Sequence, residues 1–557
     1  MHLPSGTGAV CIGNSRFLDA DLAQLAATRG QEAAWTAAFA RFGAAAPTHV
    51  GGDFAVAVRD QAGRLLLAVD RFAIRTLCYR MDGRELRFAA RADELAGDDS
   101  TLDPQALFDY LYFHVIPAPR TVFANIHRLP AGHSALLENG ELTVKRWWTP
   151  VFDENRRQSL ATLRDEFRAL LRQAVEQQCS AGRVGCFLSG GTDSTTVAGM
   201  LAAVTGLAPP TFSIGFDADG YDEMAYARIA ANHFKADHHE YYVTPDDLVR
   251  SIPVIAASGD QPFGNSSVVP AYYCAKMAKE AGIERMLAGD GGDELFGGNT
   301  RYARQRVLSA YGGVPAIVRE RLLEPLLLGN RQWARFPGLK KTVSYVEQAR
   351  VPMPDRLQAY NLLARIGVTD VLTPEFLATV DPDAPLHAQR AAYSAGTAVT
   401  LVNRMLAYDW KYALADNDLP KVMLATSLAG VEVGFPLLDD RLVDFSLRLQ
   451  PSFKLKGLTL RWFFKEALRG FLPEATIAKR KHGFGLPFGV WMTRHAQLKA
   501  LALASLELLR DRGVVRTQFL DRLANDYLVQ FPGYYGEMVW ILMMLGQWTA
   551  SSRRFRL

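Results

Sequence analysis

A six-residue segment near the middle of the chain, SGGTDS at 189–194, combines residue types that can bind a phosphate group. Its glycines let backbone N–H groups approach an anion without obstruction by a Cβ atom, and its hydroxyl groups add donors. The segment follows the apolar run VGCFL and opens a helical pattern, so a helix N-terminus would point at the bound anion. Asp193 would repel a phosphate unless a cation stood between them, which predicts Mg²⁺ at this loop. The chain has no Walker A sequence, so a different kind of phosphate loop is expected.

A second glycine-rich segment, GDGGDELFGG at 289–298, crowds Asp290, Asp293 and Glu294 together. These carboxylates would repel one another on a bare surface, so a metal ion or a cationic group is expected among them. This segment also follows an apolar run, and ligands of an open parallel sheet bind beyond the carboxyl ends of its strands. Both glycine-rich segments are therefore expected at one site. The alternative, a solvated acidic turn, is disfavoured by the apolar residues on both sides.

Short apolar runs alternate with helical patterns from residue 184 onwards, which predicts a doubly wound parallel sheet. Strands are expected at 184–188, 211–216, 239–243 and 284–289, and helices at 194–205, 222–234, 245–257 and 268–281. Beyond about residue 300 the pattern is helical, with long apolar-periodic stretches at 355–380, 386–416 and 500–530.

The N-terminal part of the chain is rich in strand patterns instead. An antiparallel sheet is expected from the runs at 51–60, 64–72 and, continuing the same meander, 84–95, with Ala-rich helices at 20–45. A polar stretch at 149–159 then leads into a strongly amphipathic helix. This change predicts two domains, 1–150 and 155–557.

The composition excludes several classes of protein. The chain has 557 residues, of which 49% are apolar and 22% charged, so it is not intrinsically disordered. A net charge of +4 gives no indication of a nucleic-acid or membrane-surface partner. No run approaches the roughly 18 apolar residues of a membrane span, and the N-terminus lacks a signal pattern, so a soluble cytoplasmic protein is expected. The 5 cysteines are scattered without C-x-x-C spacing, and H-E-x-x-H is absent, so neither a disulfide framework nor a zinc site is expected.

The SGGTDS segment resembles the pyrophosphate-binding loop of the ATP-pyrophosphatase superfamily. From about residue 100 to 550 the chain resembles the asparagine synthetase family, through FSIGF (212–216), DQPFGNSS (260–267), GDGGDELFGG (289–298), PLLD (436–439) and KHGF (481–484). The N-terminal FAVAVRD, LLLAVDRF and LPAGH resemble that family's amidohydrolase domain and its junction. The resemblance implies a degenerate Ntn-amidohydrolase-like domain of antiparallel sheet. A doubly wound ATP-pyrophosphatase domain with a helical C-terminal extension would follow it.

The resemblance also implies a two-step reaction that uses ATP and Mg²⁺. A carboxylate attacks the α-phosphorus of ATP to give an acyl-adenylate and pyrophosphate, and ammonia or another amine then displaces AMP to form an amide. Asp193 and Asp293 would bind Mg²⁺, Lys481 would neutralise developing phosphoryl charge, and Asp290 would orient or deprotonate the amine. The expected partners are small-molecule carboxylate and amine substrates, and a homodimer is left open. By motif position the nucleotide-binding residues are Leu188, Ser189, Gly190, Gly191, Asp193, Ser194, Ile214 and Gly289.

The first domain departs from the family at the positions that handle glutamine. Glutamine-dependent members need a cysteine at the processed N-terminus, whereas residue 2 here is His2. The Asn-Gly-Glu sequence at 139–141 falls after LPAGH and is typical of a hairpin turn. The family element R-D-x-x-G-x-[KR]-P-L-[YF]-Y is reduced to VDRFAIRTLCY. A structural domain without glutaminase activity is therefore expected, with nitrogen supplied by ammonia or by another amine.

The substrate end departs as well, because Met423, Leu424 and Gly434 stand where the family has an aspartate and two arginines. Their loss indicates changed acceptor recognition, although a structural salt-bridge role for those family residues would explain it equally. Three functions remain open. The first is an amide ligase that acts on aspartate or a related carboxylate. The second is a specialised ligase or cyclase resembling β-lactam synthetase or lasso-peptide cyclase, and the third is a non-catalytic nucleotide-binding scaffold.

Overall fold

The computed structural model describes residues 6–97, 100–179, 182–329, 337–480 and 485–551. Its N-terminal domain contains two antiparallel sheets built from eight strands. The strands are β1 (Gly8–Phe17), β2 (Val50–Arg59), β3 (Leu65–Val69), β4 (Cys78–Asp82), β5 (Glu85–Ala89), β6 (His127–Arg128), β7 (His133–Glu138) and β8 (Glu141–Arg146). The order is β1-β2-β3-β7-β8 in the first sheet and β5-β4-β6 in the second. The predicted antiparallel character of this domain is confirmed.

Strand β2 shows why the domain is layered. Its even-numbered apolar side chains, such as Phe54 and Val56, pack with helices α1 (Ala20–Arg29) and α2 (Gln31–Phe42). Its odd-numbered neighbours, such as Ala55 and Ala57, pack toward Leu77 and Tyr79 of the second sheet. Side chains alternate between faces along a strand, so the first sheet is covered on both sides.

The prediction that 84–95 continues the first meander is wrong, because β5 pairs with β4 in the second sheet. The chain leaves the first sheet in a turn built around the buried Asp70. Its carboxylate accepts N–H bonds from Phe54, Phe72, Ile74 and Arg75. Burial raises the pKa of this carboxyl to about 7, against the opposing effect of those donors. The residues of VDRFAIRTLCY therefore have a structural use in this turn.

The interpretation of Asn139 and Gly140 as a hairpin turn is confirmed. Both residues have a positive φ, 54° and 81°, and they join β7 to β8, in which Glu138 pairs with Glu141. Two consecutive positive φ values are the geometry of a two-residue hairpin loop.

The C-terminal domain is built on one parallel sheet, as predicted. Its strands are β9 (Val184–Phe187), β10 (Pro210–Phe216), β11 (Asp237–Val243), β12 (Arg285–Leu287) and β13 (Glu432–Gly434), in the order β11-β10-β9-β12-β13. The chain moves outward from β9 to β10 and β11, and then returns to place β12 on the other side of β9. The carboxyl ends of β9 and β12 therefore flank a topological switch point, where open α/β sheets bind their ligands.

Helices cover this sheet and form the rest of the domain. Helix α3 (Pro104–Phe113) precedes them in the chain but packs among the C-terminal helices. The helices around the sheet are α4 (Leu160–Gln178), α5 (Thr192–Thr205), α6 (Met224–Phe234), α7 (Pro245–Ser258) and α8 (Val268–Glu280). Beyond the sheet the main helices are α9 (Gly292–Phe296), α10 (Thr300–Ser309), α11 (Pro337–Ala349), α12 (Ala384–Ser394), α13 (Leu401–Asp409), α14 (Leu419–Ala429), α15 (Asp440–Leu447), α16 (Trp462–Ala467), α17 (Phe488–Arg494), α18 (Ala496–Glu507), α19 (Thr517–Arg522) and α20 (Pro532–Ser551). A hairpin of β14 (Leu455–Lys456) and β15 (Thr459–Leu460) precedes α16.

The long helical stretches expected beyond residue 300 are interrupted. The 355–380 stretch contains only short helices, including Leu362–Ile366 and Val368–Val371, because Gly367 between them has a φ of 113°. Within 386–416, helix α13 passes directly into a π-helix, Trp410–Asp418, which runs into α14. No helix in the described part of the chain has the length and apolar character that a membrane crossing requires.

The two domains are joined by a buried carboxylate on α15. Asp440 accepts hydrogen bonds from the N–H of Gly52, at 2.7 Å, and from Arg16, and its other oxygen lies 3.0 Å from Nε of Arg71. Its neighbour one turn along, Asp444, also pairs with Arg71 but is 54% exposed. One carboxylate therefore accepts two hydrogen bonds from the N-terminal domain and forms an ion pair with a third group of it.

We expect Asp440→Ala to lower the free energy of unfolding by about 1–3 kcal/mol, because it removes a buried carboxylate that accepts charge-assisted hydrogen bonds across the interface. Thermal or urea unfolding measures this change. The matched control is Asp444→Ala, for which an exposed ion pair predicts a loss of about 0–1 kcal/mol. Equal effects of the two substitutions would contradict the role given to Asp440.

Candidate active site

The loop after β9 is held in shape by its own hydroxyl groups. Oγ of Ser194 accepts the N–H of Ser189 at 3.1 Å, and the hydroxyls of the two residues are 3.0 Å apart. Gly190 has a φ of 66° and lies against the backbone of Tyr226 at a point where a Cβ atom would clash. Helix α5 begins directly after Gly191 without a side-chain cap, so its N-terminal end faces the loop.

The loop after β12 is in direct contact with the loop after β9. A Cβ atom on Gly289 would lie 2.8 Å from the backbone nitrogen of Ser194, and one on Gly292 would lie 2.5 Å from Cγ of Asp193. Real Cβ atoms do not approach other atoms so closely, so both positions require glycine. The two glycine-rich segments, predicted to share one site, are brought together by these contacts.

A guanidinium group lies between the two carboxylates that were expected to bind a metal. Nη1 of Arg461 is 2.6 Å from Oδ1 of Asp193, and its Nη2 contacts Oδ1 of Asp293. The arginine follows the β14–β15 hairpin, and its side chain is only 5% exposed. The sequence predicts Mg²⁺ at Asp193 and leaves open a metal or a cationic group among the carboxylates at 290–294. Arg461 is such a cationic group.

Most of the predicted nucleotide-binding residues line one cavity of about 430 Å³, which we call the acidic cavity. Gly190 is absent from its lining and faces Tyr226, and Gly191 lines a neighbouring cavity instead. The predicted residues that line the acidic cavity are Leu188, Ser189, Asp193, Ser194, Ile214, Gly289, Asp290 and Asp293. Lys481 lies outside the described residues.

The neighbouring cavity, of about 520 Å³, lies on the other side of the loop 189–194, and we call it the basic cavity. The two cavities share Ser189, Asp193 and Ser194. The side chains of Lys465 and Arg480 line the basic cavity, and burial together with Arg461 lowers the pKa of Lys465. The loop 189–194 thus lines both a cavity rich in carboxylates and a cavity rich in cations.

The floor of the acidic cavity carries a lysine between two carboxylates. Nζ of Lys421 is 2.9 Å from Oδ1 of Asp418 and 3.7 Å from Oδ1 of Asp290. Burial lowers the pKa of Lys421, but the two carboxylates outweigh it and hold this pKa above its usual range. Burial raises the pKa of Asp290, and Lys421 opposes that rise. Burial also raises the pKa of Glu294, which lines the same cavity, to about 8.

Sequence reasoning missed Arg461 and Lys465 and gave Lys421 no role. Each occurs in an apolar context, GLTLRWFFK or DLPKVML, that carries no sign of a site. The only available signal was the excess of carboxylates in GDGGDELFGG. Such an excess indicates a nearby cation but does not identify the residue that supplies it. Of the residues that replace the family's charged groups, Leu424 packs in the core, and Gly434 lies against the side chain of Gln178.

Two family profiles match the chain: asparagine synthase over residues 166–550, and a glutamine amidotransferase domain over residues 23–148. The chain is 25% identical over 454 residues to the glutamine-hydrolyzing asparagine synthetase 1 of Bacillus subtilis, covering 80% of this chain and 70% of that protein. It is 22% identical over 516 residues to asparagine synthetase 3 of the same organism, covering 88% and 76%. It is also 22% identical over 514 residues to the amidase chyE of Penicillium rubens, covering 86% and 76%.

We expect Arg461→Met to lower the free energy of unfolding by about 1–3 kcal/mol in metal-free buffer, because it removes the cation that two partly buried carboxylates share. Millimolar Mg²⁺ should restore part of the loss, since a divalent ion can take the place of the guanidinium. Thermal unfolding with and without Mg²⁺ measures both effects.

The control for this prediction is Arg448→Met, which removes a partly exposed ion pair with Glu166. It should cost about 0–1 kcal/mol and show no recovery specific to Mg²⁺. A variant at Arg461 that is as stable as the parent without metal would contradict the bridging role.

Proposed function

Since the chain belongs to the asparagine synthase family, we propose that it adenylates a carboxylate with ATP and transfers the acyl group to ammonia or another amine, releasing AMP and pyrophosphate. The family supports an ATP-dependent, amide-forming carbon–nitrogen ligase. The observation that carries the finer proposal is the contact between the loops 189–194 and 289–293, which form one cavity wall at the switch point of the sheet.

The two cavities support one orientation of ATP. The acidic cavity offers apolar surface from Leu188 and Ile214, suited to a nucleobase, whereas the basic cavity offers cations suited to phosphates. The N-terminus of α5 lies between them and favours an anion. We propose that adenosine lies against Leu188, Ile214 and Gly289, and that pyrophosphate is held by Ser189, Gly190, Gly191, Asp193 and Ser194.

The pair Asp193 and Asp293 fits Mg²⁺, because carboxylate oxygens are its usual protein ligands. Arg461 contacts Oδ1 of each carboxylate, and both side chains also line the acidic cavity. Bound Mg²⁺ would neutralise charge on the β- and γ-phosphates. Arg461 already lies between these carboxylates, so its guanidinium would also be placed to neutralise negative charge on the departing pyrophosphate.

Lys481 is proposed to neutralise phosphoryl charge in the first step. The two residues that precede it in the chain, Lys479 and Arg480, line the basic cavity. Asp290 is proposed to orient or deprotonate the amine in the second step. Its side chain is 21% exposed and lines the acidic cavity, where the acyl group would be formed.

The lining of the acidic cavity favours an acceptor other than free aspartate. Among the described residues that line it there is no arginine to hold the α-carboxylate of an amino acid, and its one cation, Lys421, is occupied by Asp418 and Asp290. The second carboxylate of aspartate would therefore find no unoccupied cation in this lining. We therefore favour the specialised ligase or cyclase over asparagine formation.

We also propose that residues 1–150 form a domain without a glutaminase site and that residues 155–557 form the ligase domain. In the first domain, Asn139 and Gly140 form a hairpin turn, and Asp70 closes a turn between the two sheets. Both segments therefore have structural uses, which supports this proposal.

We expect Asp193→Asn and Lys481→Ala each to lower acid-dependent pyrophosphate release by about 10²–10³-fold, because each removes a charge that acts on the phosphates. A screen of carboxylic acids for pyrophosphate release identifies the acceptor and provides the assay. Asp237→Asn, an exposed carboxylate at the start of β11, is the matched control and should leave the rate unchanged. Unchanged turnover in the first two variants would refute the assignment.

We further expect no AMP when aspartate and ammonium are supplied with Mg-ATP. The measurement is AMP formation by chromatography, compared with the best acid from the screen. Efficient AMP formation with aspartate would restore asparagine synthesis as the function. Binding of Mg-ATP without turnover on any acid would favour the scaffold.

A further inference from the structure

Lys421 is the only cation among the described residues that line the acidic cavity. Its side chain is 16% exposed, and its ammonium is shared between Asp418 and Asp290. Asp290, at the longer distance of 3.7 Å from the ammonium, also lines the cavity. A structural ion pair with Asp418 alone would not require this second contact.

The position of Lys421 is fixed by the π-helix that precedes α14. Asp416 accepts the N–H of Ala118, and the side chain of Asn417 accepts a 2.8 Å hydrogen bond from Asn265. Asp418, the last residue of the π-helix, then bonds Lys421 within the first turn of α14. Isolated π-helical turns often occur at functional sites, and this one holds the lysine on a helix rather than on a loop.

The charge balance around Asp290 depends on this one lysine. Asp418 faces it from the π-helix, Asp193 from α5 and Glu294 from α9, and all three lie in the lining of the same cavity. Burial, Asp418 and Asp193 favour the protonated acid, and Lys421 favours the carboxylate. A general base must be ionised before it can accept a proton.

We propose that Lys421 is a positioning residue for the amine-transfer step, holding Asp290 as the carboxylate that accepts the proton of the attacking amine. The inference rests on the proposed function. The amine lone pair forms the C–N bond, the bond between the acyl carbon and the AMP oxygen breaks, and AMP leaves with that electron pair. The proton lost by the nitrogen passes to Asp290.

The test separates the two half-reactions in Lys421→Met and Lys421→Arg. The first half-reaction is measured as acid-dependent exchange of pyrophosphate into ATP, and the second as amide formation, with the acid found by the screen. Lys421→Met should keep exchange within about threefold and lose about 10²-fold or more in amide formation. Lys421→Arg, which retains the charge, should recover most of that loss.

The pH dependence gives an independent readout. Loss of a cation close to Asp290 raises the pKa of that carboxyl, so a more alkaline pH is needed to ionise it. The acidic limb of the profile of kcat/KM for amide formation should therefore move upward by about 1–3 pH units in Lys421→Met. The limb should stay in place in Lys421→Arg.

The control is Lys276→Met, an exposed lysine on α8, which should change neither half-reaction. Equal loss of exchange and amide formation in a folded Lys421→Met protein would overturn the inference, as would full activity in both. If Lys421→Met does not fold, Lys421→Gln provides the same contrast.

A failure of the proposed function would look different from a failure of this inference. In that case the parent protein itself would show no pyrophosphate exchange with any acid.

Discussion

The crowding of carboxylates between the ends of β9 and β12 is the constraint on which the rest of this site depends. At an effective dielectric constant of 20, two like charges 4 Å apart cost about 4 kcal/mol, a large part of the stability of a domain. Asp193, Asp290 and Asp293 therefore need cations close by. Arg461 and Lys421 supply them, and each comes from a segment far along the chain.

This requirement explains why the C-terminal segments are arranged as they are. The N–H of Arg461 donates to the carbonyl of Gly297, and a Cβ atom on Gly297 would lie 2.9 Å from the carbonyl oxygen of Lys454. The β14–β15 hairpin is thus seated on the glycine-rich loop at both of its ends. A hairpin held in this way places the guanidinium between Asp193 and Asp293, while α14 places Lys421 beside Asp290.

The local parts of this arrangement could be predicted from the sequence, and the long-range parts could not. Strand–helix alternation and the glycine-rich segments depend on neighbours in the chain, so the parallel sheet and the common position of 189–194 and 289–293 follow from pattern. Arg461 and Lys421 reach the site through tertiary packing, which no local pattern records. The same limit explains the wrong sheet assignment of 84–95, because the turn around Asp70 depends on a backbone N–H from β2.

The N-terminal domain has a physical connection to the acidic cavity that does not depend on any chemistry of its own. The segment that follows α3 provides both the N–H and the carbonyl of Ala118, which bind Asp416 and Lys411 of the π-helix. Helix α3 is itself anchored by Tyr110, whose hydroxyl donates to the carbonyl of Ile541 on α20. Asp416 lies two residues before Asp418, the partner of Lys421. The retained domain therefore supports the helix that sets the charge at the floor of the acidic cavity, and this support is independent of any glutamine chemistry.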